Sequence, residues 1–375
     1  MRFPDAVPVL SDGAHGGVTL RAHRLDDVPR VVEQCNDPLS VAWTTVPTPY
    51  GPADATEWIA TMIPKAWGDE TDLCFAIEHD GRFAGSASLR PHGGGEAEVG
   101  FGLHPDARGK RVMRRALDLL LDWGFGEQGY AVVHWRANAG NWASRRTAWA
   151  VGFSFGPTIP RLLEQRGERH DGWTGWIGAD DAREPRSPWL RVPELETPRL
   201  RLRAWQDRDA ARIVEAANDP LLRHFIPETP LPREVGAVPD YLHRVHLMAA
   251  DGIRMAWCVA DRETDQALAN VALFDLEGPE DEGSGQVGYW AHPDARGRGV
   301  MTEALRRVAD WSLGRVGEGG LGLRRLYLLT AASNTTSRRL AEQTGFVHVG
   351  TERRAAPTGT DRYDDNAVYD RLRTD

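Results

Sequence analysis

The sequence predicts a mixed α/β fold built twice along one chain, with strands preceding helices in each copy. Three observations predict it. His104-Pro105-Asp106-Ala107-Arg108-Gly109 recurs letter for letter as His292-Pro293-Asp294-Ala295-Arg296-Gly297, and each run leads into a Val-Met pair, Val112-Met113 and Val300-Met301. Residues 18–38 align without gaps on residues 200–220, with ten of twenty-one positions identical. The offset between copies drifts from 182 at Arg21/Arg203 to 188 at His104/His292 and 193 at Asn141/Asn334, as small loop insertions between fixed blocks would make it. Two copies this long are domains, not the short units of a solenoid.

Residues 1–17, rich in Gly and Pro, read as an N-terminal tail without the charged start and apolar core of a signal peptide. Residues 18–177 read as the first domain, the polar, Pro-rich stretch 178–199 as a linker, and residues 200–375 as the second domain. Thr19-Leu20-Arg21 and Arg201-Leu202-Arg203 open the domains as strands. Asp-initiated amphipathic helices follow, ending near Asn36-Asp37-Pro38 and Asn218-Asp219-Pro220. Residues 74–78 with 83–89, and 257–260 with 267–274, read as hairpins around a polar turn. Residues 98–103 and 286–291 are the strands entering the repeated turn. Beyond it Val112, Ala116, Leu117, Leu120 and Leu121 keep helical spacing, as do Val300, Ala304, Leu305, Val308, Ala309 and Ser312. A strand (132–137; 326–330), a second helix from an Asn-x-x-Ser segment and a final hairpin complete each copy.

A length of 375 residues with 41% hydrophobic and 26% charged content gives each half a full core. No run of eighteen apolar residues is present to span a membrane. Cys35, Cys74 and Cys258 are odd in number, scattered and outside any ligand-like spacing; they point to a cytoplasmic protein without disulfides or bound metal. A net charge of −9 disfavours nucleic acid, which needs a basic face, and would draw cationic amines weakly.

A strand, a turn rich in N–H donors and a helix N-terminus together suit a phosphorylated cofactor, because the unpaired amides and the helix dipole both favour an anion. Neither Gly-Lys-Arg-Val nor Gly-Arg-Gly-Val supplies the Lys-Ser/Thr of a nucleotide-binding P-loop.

The run 288–304 (Gly-Tyr-Trp-Ala-His-Pro-Asp-Ala-Arg-Gly-Arg-Gly-Val-Met-Thr-Glu-Ala), followed by Asn334-x-x-Ser337 and Gly345-Phe346, resembles the GNAT superfamily of acyl-CoA N-acyltransferases. Within it, the branch acetylating protein N-termini and some antibiotics is most similar. Asn141-x-x-Ser144 and Gly152-Phe153 carry the resemblance into the first half. The resemblance implies two tandem domains, each a twisted, mostly antiparallel sheet splayed at a central strand with flanking helices. It implies acetyl-CoA as cofactor and acetyl transfer to a primary amine by direct attack on the thioester. A protein N-terminus, an aminoglycoside-like amine and a small metabolite amine all remain open as acceptor. The family's turn is Arg/Gln-x-x-Gly-x-Gly/Ala; the second copy gives Arg296-x-x-Gly299-x-Met301.

By that resemblance the cofactor would be held by Arg108, Gly109, Lys110, Arg111, Val112 and Met113 in the first copy, and by Arg296, Gly297, Arg298, Gly299, Val300 and Met301 in the second. Tyr289, Trp290 and Ala291 would pair with the pantetheine arm, as would Phe101, Gly102 and Leu103 in the first copy. Asn141 and Asn334 would contact pantetheine, and Ser144 and Ser337 would put a hydroxyl near the sulfur. Asn and Ser are also strong helix caps, so both roles stay open. Glu98 sits where many family members carry an acidic base, needed because a protonated amine cannot attack a thioester.

The copies depart from the pattern in opposite ways. The first has Arg111 where the second has Gly299, and the second has Gln286 where the first has Glu98. A first-unit catalyst would use Glu98 or Glu96; a second-unit catalyst would use a water chain or another acid such as Asp275 or Glu277, with Tyr369 adding a hydroxyl. One unit could instead position substrate for the other, and a catalytically decayed acetyl-CoA sensor is the non-enzymatic alternative. Lys110, Arg111, Arg114 and Arg115 crowd the first helix start, which suits an arriving phosphate or a solvated basic face. Acceptor choice would lie in 43–67, 224–255 and 278–285, with Trp43, Trp58 and Trp67 either core or pocket lining. The expected partner is a small-molecule or peptide amine, with the chain a monomer or a homodimer.

Overall fold

The computed structural model describes residues 6–13, 17–278, 280–359 and 362–375. The chain divides into two compact units, 1–186 and 187–375, so the division falls inside the segment read as a linker.

In the first unit, strand Val18–Arg21 pairs antiparallel with Leu73–His79, which leads through Arg82–Gly93 into Glu96–Leu103. Leu10–Ser11 adds an edge strand, with Leu10 opposite Leu20, so part of the expected tail is sheet. Residues 1–5 and 14–16 of that tail lie outside the described residues. Glu96–Leu103 runs parallel to Val132–Asn138, and Glu168–Gly178, Ser154–Phe155 and Ile159–Gln165 complete the sheet. The second unit repeats the order: Leu195–Glu196, Leu200–Ala204, Arg254–Asp261, Ala267–Glu277, Ser284–Ala291, Arg325–Ala331, Arg362–Leu372 and Val347–Thr358.

Among the described residues each sheet has one parallel pair, and it is short. In the first unit it joins residues 96–99 to 132–135, and residues 100–103 keep only their antiparallel neighbour. In the second it joins 284–286 to 325–327, and residues 287–291 keep only 269–273. Each sheet therefore forks at its centre, as the resemblance implies, and the inner edge of the fork exposes backbone N–H and C=O groups.

Alternation along the strands sets which helices cover each face. In the second unit Val287, Leu326 and Leu328 pack with Val300, Ala304, Leu305 and Val308 of helix Val300–Leu313. The opposite face, with Ala256, Cys258, Ala272 and Trp290, packs against Ile213, Leu242 and Val245. Those residues come from helices Ala210–Ala217 and Val238–Ala250. The first unit buries Val112, Ala116, Leu117, Leu120 and Leu121 of helix Val112–Gly126 on one side. Val31, Ala55, Ile59, Ala76 and Phe83 are gathered on the other.

The repeated opening segment owes its identity to an ion pair. Arg21 grips Asp27 with two hydrogen bonds of 2.8 and 2.9 Å, and Arg203 grips Asp209 at the same two distances, all four side chains being buried. A forked guanidinium on a carboxylate is a strong, directional contact. It clamps the opening strand to the start of the first helix.

The segment 178–199 is not a free tether. Asp181 accepts from the Gly178 N–H at 2.7 Å, Arg186 donates to the Gly152 carbonyl at 3.1 Å, and Leu195 pairs with Leu202. The stretches left for acceptor choice carry helices: Pro52–Glu57 and Ile63–Gly68 in the first unit, Val238–Ala250 in the second. Trp67 is core, its indole N–H donating to the Cys74 carbonyl at 3.1 Å. Trp58 packs on the core edge, and Trp43 is 37% exposed.

Candidate functional site

The repeated hexapeptide folds the same way twice. Pro105–Ala107 and Pro293–Ala295 form a single helical turn, after which the chain enters the left-handed region at Gly109 (φ +75°) and Gly297 (φ +71°). It enters again at Arg111 (φ +61°, ψ 13°) and Gly299 (φ +74°, ψ 7°), immediately before the helix. Glycine adopts this conformation freely, whereas a side-chain-bearing residue loses about 1 kcal/mol there. Arg111 adopts it all the same. The departure that put the first unit's loop in doubt changes a side chain and leaves the backbone path intact.

The helical ladder starts with the Arg115 N–H on the Arg111 carbonyl and the Glu303 N–H on that of Gly299. Earlier amides have no intrahelical acceptor by construction. Val112, Met113 and Val300 are buried and Met301 packs on the core, so these four offer a ligand only their backbone. Lys110, Arg111 and Arg298 are exposed at the loop tip.

The Arg108 and Arg296 side chains are engaged within the protein. Arg108 donates to Asp37 (2.7 Å), Ser40 (3.2 Å) and the Leu103 carbonyl (3.2 Å). Arg296 donates to Asp219 (2.5 Å) and the Ala291 carbonyl (3.3 Å). Each side chain ties the turn to the cap of a short helix and to the end of the forked strand. The hydrogen bonds from Arg108 and Arg296 are the main reason that the Asp37 and Asp219 carboxyls lie below the usual range. These side chains brace the loop from inside.

Of the four cations at the first helix start, Arg115 is paired with Asp12 at 2.6 Å and Arg114 approaches Asp118 at 4.0 Å. The second unit inverts the charge at the matching helical position. Glu303 accepts from Thr197 at 2.5 Å and from the Arg199 guanidinium at 2.8 Å. Burial alone would raise its carboxyl, and these bonds more than offset that.

Within each fork, the Asn-x-x-Ser segment starts a helix, Trp142–Ala150 or Thr335–Gln343. Asn141 and Asn334 cap it by accepting the Ser144 and Ser337 N–H groups, both at 3.1 Å. Capping is therefore realised at both asparagines. The serine hydroxyls do something else. Ser144 Oγ accepts from the buried Trp135 indole N–H at 3.0 Å. Ser337 Oγ lies 2.8 Å from the Tyr289 hydroxyl, a bond either atom could donate. Burial, only partly countered by Ser337, pushes the Tyr289 phenol up to about 12. Trp290 is core, stacked on Trp205 at 5.6 Å, so only its backbone edge faces the fork. Tyr369 is fully buried, with its hydroxyl between Arg338 and Glu342 at 3.2 Å each, which makes it a packing residue.

The floor of the fork, on the opposite face, separates the units most. Glu98 is 8% exposed and held from both sides. Arg90 donates to Oε1 at 3.3 Å and Arg136 donates to Oε2 at 2.6 Å. Arg90 lies flat on the strand, and a Cβ at Gly100 would come within 2.4 Å of its Nη2. At the equivalent place Phe274 covers Gly288, 3.0 Å from where a Cβ would be, and Gln286 replaces Glu98. Asp275, proposed from sequence as an alternative base, hydrogen bonds Tyr327 beside Gln286, and burial with Asp275 raises that phenol. Asp281 of the acidic loop 280–282 pairs with Arg373 at 3.2 Å.

Sequence reading missed Arg90, Arg136 and Trp135. The register of Arg82–Gly93 against Glu96–Leu103 sets Arg90 opposite Glu98, so drawing that hairpin residue by residue would have exposed the pair. Trp135 had no such signal, since an indole in an apolar strand reads as core.

The Acetyltransferase (GNAT) domain model matches residues 18–154 and again 199–347, more than half of the chain. The chain belongs to the GNAT acetyltransferase family. Its two GNAT domains are the two forked sheets. Among relatives, YoaA from Bacillus subtilis (strain 168), described as an uncharacterized N-acetyltransferase, is 27% identical over 183 residues, 47% of this chain and 95% of YoaA. The similarly described p20 from Bacillus licheniformis is 23% identical over 156 residues, 42% of this chain and 83% of p20. Among solved structures, Mycobacterium smegmatis RimJ in complex with CoA-disulfide aligns at 20% identity with a TM-score of 0.40, covering 46% of this chain and 81% of RimJ. Among the described residues no helix is long and apolar enough to cross a membrane, and no cluster of three His, Cys, Asp or Glu side chains is placed to hold a metal ion.

Proposed function

We propose that the chain is an N-acetyltransferase with an acetyl-CoA site in each unit, moving the acetyl group to a primary amine by direct attack on the thioester. One observation carries this reading. Both turns, Arg111 included, take the same left-handed path into a helix start, and both lie at the open end of a forked sheet. Amides of 109–113 and 297–301 would hold the CoA diphosphate, and the exposed backbone edges of 100–103 and 287–291 would pair with the pantetheine amides. Family membership supplies the acetyl-transfer chemistry, and the N-acetyltransferase names of the relatives agree with nitrogen as acceptor.

In the first unit Glu98 takes one proton of the ammonium and passes it to solvent, and the freed amine forms the C–N bond as the C–S bond breaks, its second proton leaving to Glu98 as the amide forms. Ser144 then donates to the departing thiolate and recovers its proton from solvent. The Trp135 indole can only donate, so it occupies a lone pair of Ser144 Oγ and leaves the Ser144 proton available. In the second unit Ser337 and Tyr289 share the donor role. Gln286 cannot accept a proton at neutral pH, and the Asp275 carboxylate, through Tyr327, is the proton acceptor assigned there. That same glutamine favours a second reading for the second unit alone, as a CoA-holding domain of low turnover.

Calorimetric titration of CoA into the pure chain is expected to give two sites. Thioester consumption with a panel of primary amines is then expected to proceed. Absence of any heat on adding CoA overturns the proposal.

A further inference from the structure

The floor of the first fork has a chemistry that amine acetylation alone does not require. Residues 96–99 and 132–135 are paired, so Gly100 and Arg136 are the first residues past the point where the strands part. Arg90 and Arg136 meet there on one face, with Glu98 between them. Both guanidiniums are nearly half exposed (48% and 42% of the side chain), whereas the Glu98 side chain is only 10% exposed. Glu98 engages Arg90 through Nη1 and Arg136 through Nε and Nη2. Arg90 Nη2 lies over Gly100, Arg90 Nε faces Asp72 at 3.6 Å, and His92 Nε2 lies 3.7 Å from Glu98; the contacts to Glu98 leave Arg90 Nη2 and Arg136 Nη1 outside the clamp. Two planar donor groups thus already clamp one carboxylate, and both remain nearly half exposed. Such forks match the oxygens of carboxylates and phosphates.

The second unit removes this feature piece by piece. Phe274 covers Gly288 as Arg90 covers Gly100, Gln286 stands for Glu98, and Leu329 occupies the place of Arg136. Behind the floor, Asp72 lies 3.6 Å from Arg90 in the first unit, whereas Arg254 lies 5.8 Å from the Phe274 ring centre in the second. The strands, the fork and the covered glycine stay constant while the floor changes from ionic to apolar.

We propose that the first unit selects an amine bearing an oxyanion, docked on Arg90 and Arg136, and that the second unit takes an acceptor without one. This rests on the acetyltransferase reading above and specifies its acceptor. The incoming oxyanion docks on the N–H groups outside the Glu98 clamp and draws both guanidiniums partly away from Glu98. Glu98 thereby gains free lone pairs just as an ammonium arrives to lose its proton to it.

The test compares matched acceptors on the full-length chain: Ala-Asp amide against Ala-Asn amide, and O-phosphoethanolamine against ethanolamine. In a chain whose second loop is disabled by Gly299→Val, the anionic member of a pair is expected to have a kcat/KM at least about tenfold higher, the effect of a charged hydrogen bond. Preference within only one pair identifies carboxylate or phosphate as the oxyanion. Arg90→Met and Arg136→Met each collapse the ratio toward one, and Arg90→Lys, which keeps charge but not the fork, retains part of it. The ratio in the otherwise unmodified chain falls in the same direction, which covers the case of a second loop that does not tolerate Val. A ratio near one with all four amines turned over overturns the inference, as does a preference that survives both Met substitutions. If CoA binds and none of the four amines consumes acetyl-CoA, the acetyltransferase reading falls and takes this inference with it.

Discussion

Ser144 and Ser337 occupy the same place in the two copies and are held by different partners. The first is pinned by the Trp135 indole N–H, with Phe101 where the second copy has Tyr289; the second is pinned by the Tyr289 hydroxyl, with Leu328 where the first has Trp135. The duplicated backbone kept the cap, the fork and the turn, and the proton-carrying groups around them diverged. If each serine protonates the leaving thiolate, the two forks should respond unequally to its loss. Ser144→Ala is expected to lower kcat of the first unit about a hundredfold, a usual cost of losing a general acid. Ser337→Ala should lower kcat of the second unit only about tenfold, because Tyr289 retains an O–H at the same spot, and adding Tyr289→Phe should bring the loss to that of the first unit. Each kcat is read in a chain whose other loop is closed by Gly109→Val or Gly299→Val. Equal losses in the single serine variants would break the comparison.

Most of this architecture was legible because the chain repeats it. Every block aligning between copies, from Arg21/Arg203 through the turn to Asn141/Asn334, proved to be a structural joint: an ion pair, a left-handed loop, a helix cap. Repetition reveals where two copies agree, so it says little where they differ. Arg90 and Phe274 do not align as similar residues, and their common position over a glycine appears only once the strands are paired. Arg108 and Arg296 show the opposite case. They agree in both copies, and in both the side chain braces the turn, a role that identity of sequence does not by itself spell out.

The loops sharpen the comparison at a smaller scale. Arg111 and Gly299 share one backbone conformation at unequal cost, so exchanging chemistry between them should act in opposite directions. Gly299→Val puts a β-branched residue at φ +74° and is expected to weaken CoA binding by the second unit about tenfold or more, read as loss of one calorimetric site. Arg111→Gly relieves strain in the folded loop but also frees the unfolded chain. Its net effect on stability should be a gain below about 1 kcal/mol, seen as a small rise in the urea midpoint. A large loss in the Arg111→Gly variant would mean that the arginine side chain holds the loop.

The last contrast is in acid. His23 packs edge-on against Trp58 at 4.9 Å and shares a 3.0 Å hydrogen bond with Ser86; the second unit has Trp205 there, donating to Asn270 at 3.0 Å. Burial lowers His23 from its ordinary 6.5 to about 4, so the folded first unit binds this proton less readily than its unfolded chain does. Where the unfolded state binds more protons, stability falls as pH falls. The contribution of neutral His23 is therefore complete above pH 6.5 and is lost on acidification toward pH 4. Burial also lowers His246 in the second unit, so both units weaken in acid, and the first should weaken more. Amide protection factors report this locally: between pH 7 and pH 5 those of Val18–Arg21 should fall further than those of Leu200–Ala204. His23→Gln, which cannot titrate, should bring the two strands to the same slope, and an unchanged difference in that variant would remove His23 as its source.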